Sequence, residues 1–455
     1  MLEMGTPFRG ESGPDECSRH ESGGTVEADA RMKRMISRAS SLLVVIALVV
    51  CAGPALAVGP GLGIGGEAKL HPYLDLDLMY NSNVNNLPSN ETGDLVLAVH
   101  PGIFLLVPSQ WINLDLGGKV GYSRYFGIQK EEFKRNVVEG EASLKVVINP
   151  QGAFQVEVLD NFNRTEEPRD YVEAKMAGRF SNLAKALLVA EPGGKALRLS
   201  AGYGFSFDYY DDDTGLASGD QQAHNFYFDT RWRFLPKNSL LLHFDMQLLE
   251  YPNSGANFQN TNSKPLRASI GLAGLLTRTL SFRLFVGYGD SLMDSGDSFR
   301  SAIAQLALAQ SFDFGLTISG GYKRDFQPAM VFRYYNEDRV FLKLVQSLVD
   351  GDLNLELGFQ YAYVSYGSPE TVMDATGNPA PCQVGPRHDN RLRLRAGIGY
   401  QILDFLEARV SYGMDVNLTG FNWVAEDPSA PGTCISANKA EFTTHKTWLS
   451  IVFHY

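Results

Sequence analysis

Three arginines alternate with leucines near the carboxyl end of the chain. Arg391, Arg393 and Arg395 are separated from one another by single leucine residues. Because side chains of a β-strand point alternately to its two faces, the three guanidinium groups share one face and the leucines share the other. A guanidinium group binds carboxylates and phosphates with two parallel hydrogen bonds. The sequence therefore predicts a strand with one anion-attracting face and one apolar face.

Charged residues on the flanking segments have the same alternation. Arg409 has the parity opposite to Val410, and Glu356 and Glu407 are candidates to offset the arginine run. Two interpretations are open for these charges. They form a lattice of ion pairs that only lines a wall, or they create a field that selects solutes or guides an anionic chain.

Catalysis would need a nucleophile with a base in reach, and the sequence offers no such pair. It contains no Gly-x-Ser-x-Gly motif and no spacing typical of metal ligands, and its histidines beyond the first seventy residues are scattered. They are His71, His100, His224, His243, His388, His445 and His454. We expect no catalytic residue, no metal and no cofactor.

The elements that carry these residues are strands from about residue 71 to the end. Alternating segments are separated by nine long polar gaps and eight short ones, which divide the chain into eighteen strands. Long gaps lie near 81–93, before 136, and near 164–172, 211–221, 252–263, 291–297, 326–330, 367–388 and 418–440. Long loops that alternate with short turns are typical of bacterial outer-membrane barrels. A soluble all-β protein, such as a propeller or a β-helix, is the alternative, but the repeat of about 40 residues that a propeller should show is not found.

The last strand ends on an aromatic residue. Leu449, Ile451 and Phe453 share a face, and Tyr455 is the terminal residue. An ordinary edge strand would explain this apolar ending, but a closed barrel explains it better, because its last strand must pair with its first. We therefore predict an up-and-down antiparallel transmembrane β-barrel of about eighteen strands. The four residues would be its assembly signal, and the partner strand would be His71–Tyr80.

The first 57 residues predict an export signal. Lys33, Arg34 and Arg38 precede the apolar run 39–50, and a small-x-small pattern ends at Ala57. We expect cleavage between Ala57 and Val58. An uncleaved anchor and a lipoprotein modified at a nearby cysteine are the alternatives. The predicted organisation is an extension and signal at 1–57, a periplasmic lead-in at 58–70 and a barrel at 71–455.

The charge balance limits the partners. The formal net charge is −11, which argues against nucleic acid as a partner. The mean hydropathy of −0.14 does not indicate a membrane protein, but neither does it in barrels, whose strands expose only alternate residues to lipid.

Arginine facing lipid at mid-bilayer would cost roughly 2–4 kcal/mol, and so the arginine run must face the barrel lumen.

Two short motifs resemble those of a known family. Tyr80-Asn81-Ser82-Asn83-Val84 ends the first strand, and His100-Pro101-Gly102-Ile103 lies in the second. They are similar to motifs of the β-barrel porins that are often associated with exopolysaccharide secretion. The resemblance implies a large barrel, possible polysaccharide export and no catalytic residues. His100 departs from the small polar residue expected at that place.

Two functions from different classes are compatible with these patterns. The first is a porin-like channel in the cell outer membrane for small solutes or an exported polysaccharide. The second is a structural or docking barrel of an envelope-spanning secretion, adhesion or gliding complex. Either would contact the lipid bilayer, lipopolysaccharide and the barrel-insertion machinery, and a polysaccharide or complex subunits would be additional partners.

Cys382 and Cys434 fall in the two longest predicted loops and, in an exported protein, are expected to form a disulfide. Two free thiols are the alternative. Mass spectrometry of the purified barrel without reductant should find the two cysteine peptides joined. Complete alkylation of both cysteines without reductant would contradict this prediction.

Overall fold

The computed structural model describes residues 61–166, 178–211, 219–253, 260–329, 332–367, 385–426 and 434–455. The predicted cleavage site at Ala57 and Val58 lies outside these ranges, and so does Cys382. The signal peptide and the disulfide therefore stay predictions.

Twenty-one strands and two short 3-10 turns make up the described chain. The first strands are β1 (Leu62–Gly65), β2 (Ala68–Asn81), β3 (Asp94–Val107), β4 (Ile112–Tyr125), β5 (Arg135–Ile148), β6 (Phe154–Thr165), β7 (Arg179–Ala190), β8 (Leu197–Tyr210), β9 (Gln221–Leu235), β10 (Asn238–Glu250) and β11 (Leu266–Leu275). They are followed by β12 (Leu280–Asp290), β13 (Arg300–Ser311), β14 (Leu316–Pro328), β15 (Tyr334–Leu348), β16 (Leu353–Tyr366), β17 (His388–Leu403), β18 (Leu406–Thr419), β19 (Asn422–Glu426), β20 (Cys434–Lys439) and β21 (Phe442–His454). The 3-10 turns are Glu131–Phe133 and Val349–Gly351.

Eighteen of the strands close into a barrel. Strands β2 to β18 pair with their sequence neighbours, and β21 pairs with β18 on one side and β2 on the other. Every pairing is antiparallel. The predicted fold class is therefore confirmed.

The closing seam joins the two ends of the chain. Leu449, Ile451 and Phe453 of β21 lie opposite Leu78, Leu76 and Leu74 of β2, and all six side chains have the outward parity. Beyond the last pair, the backbone N–H of Tyr455 donates to the carbonyl of Pro72 at 3.0 Å. The predicted pairing is confirmed. The role of these residues as an assembly signal stays a prediction.

The barrel presents an apolar surface outward. Val410 and Ile398, on adjacent strands, are 52% and 53% exposed, and many other outward side chains of the strands are apolar and exposed. Such a surface is stable only in lipid, and a closed barrel is the one sheet that can span a bilayer, because it has no unpaired edge. The protein lies in the cell outer membrane.

Among the described residues, no helix is both long enough and apolar enough to span a bilayer.

Long and short connections alternate around the barrel as the gap pattern predicts, with one exception. The link between β14 and β15 was predicted to be long, yet it comprises only residues 329–333. The ninth long connection contains the separate β19–β20 hairpin. At the other end of the chain, part of the predicted periplasmic lead-in forms β1, which pairs with the start of β2. The first barrel strand accordingly begins at Ala68.

The Asn-x-Asn motif after the first strand fastens the first long loop to the seam. The Asn83 side chain is fully buried, donates to the carbonyls of Leu87 and Thr443 at 2.7 and 3.2 Å, and accepts from the Leu87 N–H. The Asn81 side chain accepts from the Asn83 N–H at 3.0 Å. The motif thus bonds the loop to itself and to the last strand.

The Pro-Gly pair in the second strand, Pro101 and Gly102, makes room for an aromatic side chain on the lumen side. A Cβ on Gly102 would lie 2.2 Å from the ring of Tyr73, and so glycine leaves the space that this tyrosine fills. His100, the unexpected residue of this motif, lies 3.3 Å from the carboxylate of Asp77 on β2.

Deleting Tyr455 should strongly reduce the amount of barrel in the outer membrane. The deletion removes an aromatic residue and the hydrogen bond to Pro72 that extends the closing seam. Membrane fractionation with heat-modifiability on gels measures the assembled yield. The matched control Tyr455→Phe keeps the ring and the backbone bond and should assemble normally. Normal yield of the deletion variant would show that the terminal residue is dispensable.

Candidate functional site: the barrel lumen

The inward face of the barrel is polar and charged. Strand register fixes this face, because residues directly opposite each other in adjacent strands point to the same side. The arginine run on β17 is opposite Ala362, Gln360 and Gly358 of β16. The leucines between the arginines face outward with Val416 and Met414 of β18. The arginine run therefore lies on the lumen side, as predicted.

Asp415 of β18 is the carboxylate that the arginines share. Its Oδ1 lies 2.8 Å from Nε of Arg393, and its Oδ2 lies 2.7 Å from Nη2 of Arg395. The two arginine side chains nevertheless stay 43% and 36% exposed. One carboxylate thus divides its two oxygens between two guanidinium groups that remain open to the lumen.

The carboxylates predicted to offset the arginine run are engaged elsewhere. Glu356 pairs with Lys343 of β15 at 2.8 Å, and Glu407 pairs with Arg409 of its own strand at 2.8 Å. That part of the prediction is wrong. Asp415 has the same parity as Arg409 and lies directly opposite Arg393, a register that only the folded sheet reveals.

The third arginine of the run is buried at the mouth. The Arg391 side chain is 10% exposed, donates to the hydroxyl of Tyr366 and lies 3.6 Å from Asp389. Its neighbour Arg387 is fully buried, pairs with Asp389 at 2.7 Å and lies over the rings of Tyr366 and Phe421. Sequence reasoning missed Arg387, although Arg387-His-Asp389 has the spacing of a same-face ion pair on a strand.

A cluster of buried apolar side chains fills part of the extracellular mouth. Phe332 is fully buried and contacts the rings of Tyr366 and Phe421, with centroids 4.7 and 5.8 Å apart. The cluster includes Tyr210 of β8, which lies eight strands from β16 around a ring of eighteen. Side chains from nearly opposite walls can join one cluster only if loops cross the mouth. The mouth is therefore narrowed by its own loops.

The carboxyl-terminal end of β14, residues 325–328, leaves the barrel wall and enters the lumen. Pairing between β13 and β14 stops at Ala304 and Arg324, although both strands continue for four more residues. Phe326, which would face outward by alternation, is 1% exposed and stacks on Phe299 with centroids 4.6 Å apart. A Cβ on the inward residue Gly289 would lie 2.7 Å from the Phe326 ring. The end of β14 therefore packs on the inner surface of β12.

Arg267 of β11 holds this end of β14 in the lumen through ion pairs and a hydrogen bond. Its Nε lies 2.9 Å from Asp325, and its Nη1 lies 3.3 Å from Asp245 of β10. Its Nη2 donates to the Phe326 carbonyl, and the guanidinium lies 4.3 Å above the Phe326 ring. The Asp325 carboxylate accepts from the Phe326 N–H at 2.8 Å. These bonds satisfy backbone groups that β13 would otherwise have paired.

The histidines have local partners rather than a common site. His243 lies between Asp229 and Asp245, at 2.6 and 3.6 Å, and His71 bonds the carbonyl of Tyr455. The part of the chain that the structure describes holds no group of three or more residues suited to a metal ion. Cys434 begins β20, and Cys382, its predicted disulfide partner, lies outside the described ranges.

Replacing Arg267 by Gln should widen the channel. The change removes the cation that Asp245 and Asp325 share and the hydrogen bond to the Phe326 carbonyl, and Asp325 then keeps Lys323, at 3.0 Å, as its ion-pair partner in the described chain. We expect the end of β14 to leave the lumen and single-channel conductance in planar bilayers to rise. The control Arg283→Gln removes an exposed inward arginine on β12 and should conduct like the parent. Equal conductance in both variants would show that β14 is not a constriction.

Comparisons with known proteins find architecture only. No family model and no curated protein matches the chain. Among solved structures, OccAB3 of Acinetobacter baumannii is 11% identical, with a TM-score of 0.44, over 86% of this chain and 99% of that chain. OccK2 (OpdF) of Pseudomonas aeruginosa, in complex with glucuronate, is 10% identical, with a TM-score of 0.46, over 85% and 98%. The outer membrane protein opdK of Pseudomonas aeruginosa is 10% identical, with a TM-score of 0.43, over 85% and 99%. At this identity and overlap they name neither the family nor the solute of this chain.

Proposed function

We propose that the protein is an outer-membrane channel for small polar solutes with a preference for anions. The observation that carries the proposal is the charge excess on the β17 wall. Among the described residues of this wall, four guanidinium groups, those of Arg387, Arg391, Arg393 and Arg395, form ion pairs with two carboxylates, those of Asp389 and Asp415. Flanking ion pairs on β15 and β18 are each neutral. The wall therefore presents net positive charge to the lumen.

The size of the barrel supports a conduit. Barrels of sixteen to eighteen strands are wide enough for an aqueous lumen. The inward end of β14 and the aromatic cluster at the mouth reduce that width, which favours small solutes over a bulky chain. A polar lumen with few apolar contacts also suits passage better than tight binding.

The contrast between the lumen arginines supports a role for two of them in selectivity. Arg387 and Arg391 are buried against aromatic rings and a carboxylate, and so they stabilise the packing at the extracellular mouth of the barrel. The side chains of Arg393 and Arg395 stay 43% and 36% exposed on the lumen side. A passing carboxylate or phosphate would meet these two groups first. Arg409, paired with Glu407 and half exposed, is a weaker contributor.

A docking barrel is the second candidate, and the mouth cluster favours it. If loops from opposite walls sealed the lumen entirely, the outer loop surface would be the functional part and the lumen only structural. Polysaccharide export stays a suggestion of the sequence motifs alone. In either case we propose no enzymatic activity. The expected partners are the bilayer, lipopolysaccharide and the insertion machinery.

Replacing both Arg393 and Arg395 by Gln should shift selectivity toward cations. Two unit charges at about 8 Å from a passing ion, in water-like dielectric and with screening, change the permeability ratio by about two- to fivefold. Reversal potentials in a salt gradient measure this ratio. The control Lys237→Gln removes one positive charge from the β9–β10 turn and should leave it unchanged.

Two results would contradict the proposal in different ways. An unchanged reversal potential in an open channel would show that the arginine wall is neutralised structure. Absence of any conductance in the parent protein would favour the docking barrel.

A further inference from the structure

The wall formed by β3 to β7 carries a cavity that differs from the arginine wall. Its volume is about 340 Å³, and its lining combines basic, acidic and amide side chains. The charged and polar residues that matter below are His100, Lys119, Glu139, Glu141, Thr165 and Arg179. The cavity is on the lumen side and lies apart from β17.

Strand register brings these side chains together. Lys119 lies directly opposite Glu141, and Thr165 lies directly opposite Arg179. Gly121 occupies the inward position opposite Glu139, where a Cβ would lie 2.6 Å from the His100 ring. The glycine thus leaves room for both the imidazole and the cavity.

Most of the charges in the cavity are partly balanced. Nζ of Lys119 lies 3.2 Å from Oε1 of Glu141, and these side chains are 31% and 55% exposed. Thr165 donates to Glu139 at 3.3 Å, and His100 is turned toward Asp77. A carboxylate that is more than half exposed can still accept bonds from a solute. The carboxylate side of the cavity is therefore open.

Arg179 is the exception. Its Nε and Nη1 are buried and have no hydrogen-bond partner among the residues that the structure describes. A guanidinium is always charged and cannot avoid this cost by losing a proton. Leaving such donors without a hydrogen-bond partner destabilises the folded protein. An anionic group brought by a solute would remove that cost.

The charges limit which solute fits. A simple anion would satisfy Arg179 but would also meet Glu139 and Glu141. A simple cation would meet the carboxylates but leave Arg179 unpaired, and a neutral polyol would leave the guanidinium without a counter-charge. A solute with a carboxylate and an ammonium group matches both sides. We propose that this cavity is a binding site for zwitterionic solutes of the amino-acid type, with Arg179 anchoring the carboxylate and Glu141 the ammonium.

The proposal rests on the proposed channel function and gives its substrate class. The exposed arginines on β17 would draw the carboxylate end of a solute into the lumen. The balanced wall of β3 to β7 would then hold solutes that also carry an ammonium group. A purely anionic solute would pass the same lumen without this second contact.

Saturation-transfer NMR on the purified barrel in detergent tests the site without requiring conduction. Three probes of similar size separate the two charges: methionine, its hydroxy analogue, which lacks the ammonium, and methylthiopropylamine, which lacks the carboxylate. Methionine should bind about tenfold more tightly than either, because each analogue loses one charge-assisted hydrogen bond; a tenfold change corresponds to about 1.4 kcal/mol.

Two substitutions assign the anchors. Arg179→Gln should weaken methionine about tenfold and leave methylthiopropylamine unchanged. Glu141→Gln should weaken methionine and methylthiopropylamine but not the hydroxy analogue, which would also show that the variant barrel is folded. The control Arg283→Gln, on β12, should bind all three probes as the parent does.

The outcomes separate this inference from the channel proposal. Equal binding of methionine and its hydroxy analogue would show a plain anion site and overturn the zwitterion assignment. Unchanged methionine binding in Arg179→Gln would remove Arg179 as the anchor. A barrel that binds methionine selectively yet conducts no ions would support the site and reject the channel.

Discussion

A strand that crosses a bilayer must have every backbone N–H and C=O group hydrogen-bonded, because hydrocarbon offers no substitute partner. Each unmet group costs several kcal/mol. This requirement forces β21 to pair with β2, although Tyr73 and His454, which lie opposite each other in the sheet, are 381 positions apart in the sequence. Side chains reinforce the seam: Ser450 donates to Asp77, and Asn83 bonds the carbonyl of Thr443.

The same requirement explains the constriction. Where β13 and β14 stop pairing, their backbone groups must find other partners. The end of β14 does so by turning into the lumen, where Arg267 and Asp325 bond the backbone of Phe326. On the other side of the split, Arg324 donates to the carbonyl of Ala302. The loss of pairing with β13 thus goes with a narrower lumen, in which the end of β14 stays paired with β15 and is also held by Arg267.

The lumen has two walls with different electrostatics. Among the described residues of the β17 wall, the guanidinium groups outnumber the carboxylates that pair with them, and two of the guanidinium groups stay exposed. On β3 to β7 acids and bases are nearly matched, apart from the unmet donors of Arg179. Elsewhere, cations are covered by the protein itself, as when Lys185 lies 3.6 Å above the ring of Tyr227. Selectivity in such a lumen depends on which charges remain open, not on how many the sequence contains.

The sequence by itself determined the barrel, its strand number and its faces, because a repeat of two residues is set by local backbone geometry. The closing strand could be predicted from Leu449, Ile451 and Phe453, since a barrel must pair its ends. The tertiary structure alone decided the partners of the lumen charges. Asp415 rather than Glu356 or Glu407 meets the arginines, because register places it opposite Arg393.

Two further features depend on packing between distant segments. Leu187 belongs to an apolar run, Leu187-Leu188-Val189, that interrupts the alternation of polar and apolar residues in β7. It points inward and packs where Gly202 of β8 leaves space, because a Cβ on that glycine would lie 2.4 Å from the leucine side chain. The inward turn of β14 likewise depends on Gly289 and Arg267 of other strands. Periodicity reports what one strand prefers locally. The periodicity of one strand does not depend on which side chains distant strands place next to it, and so only the folded barrel could show these contacts.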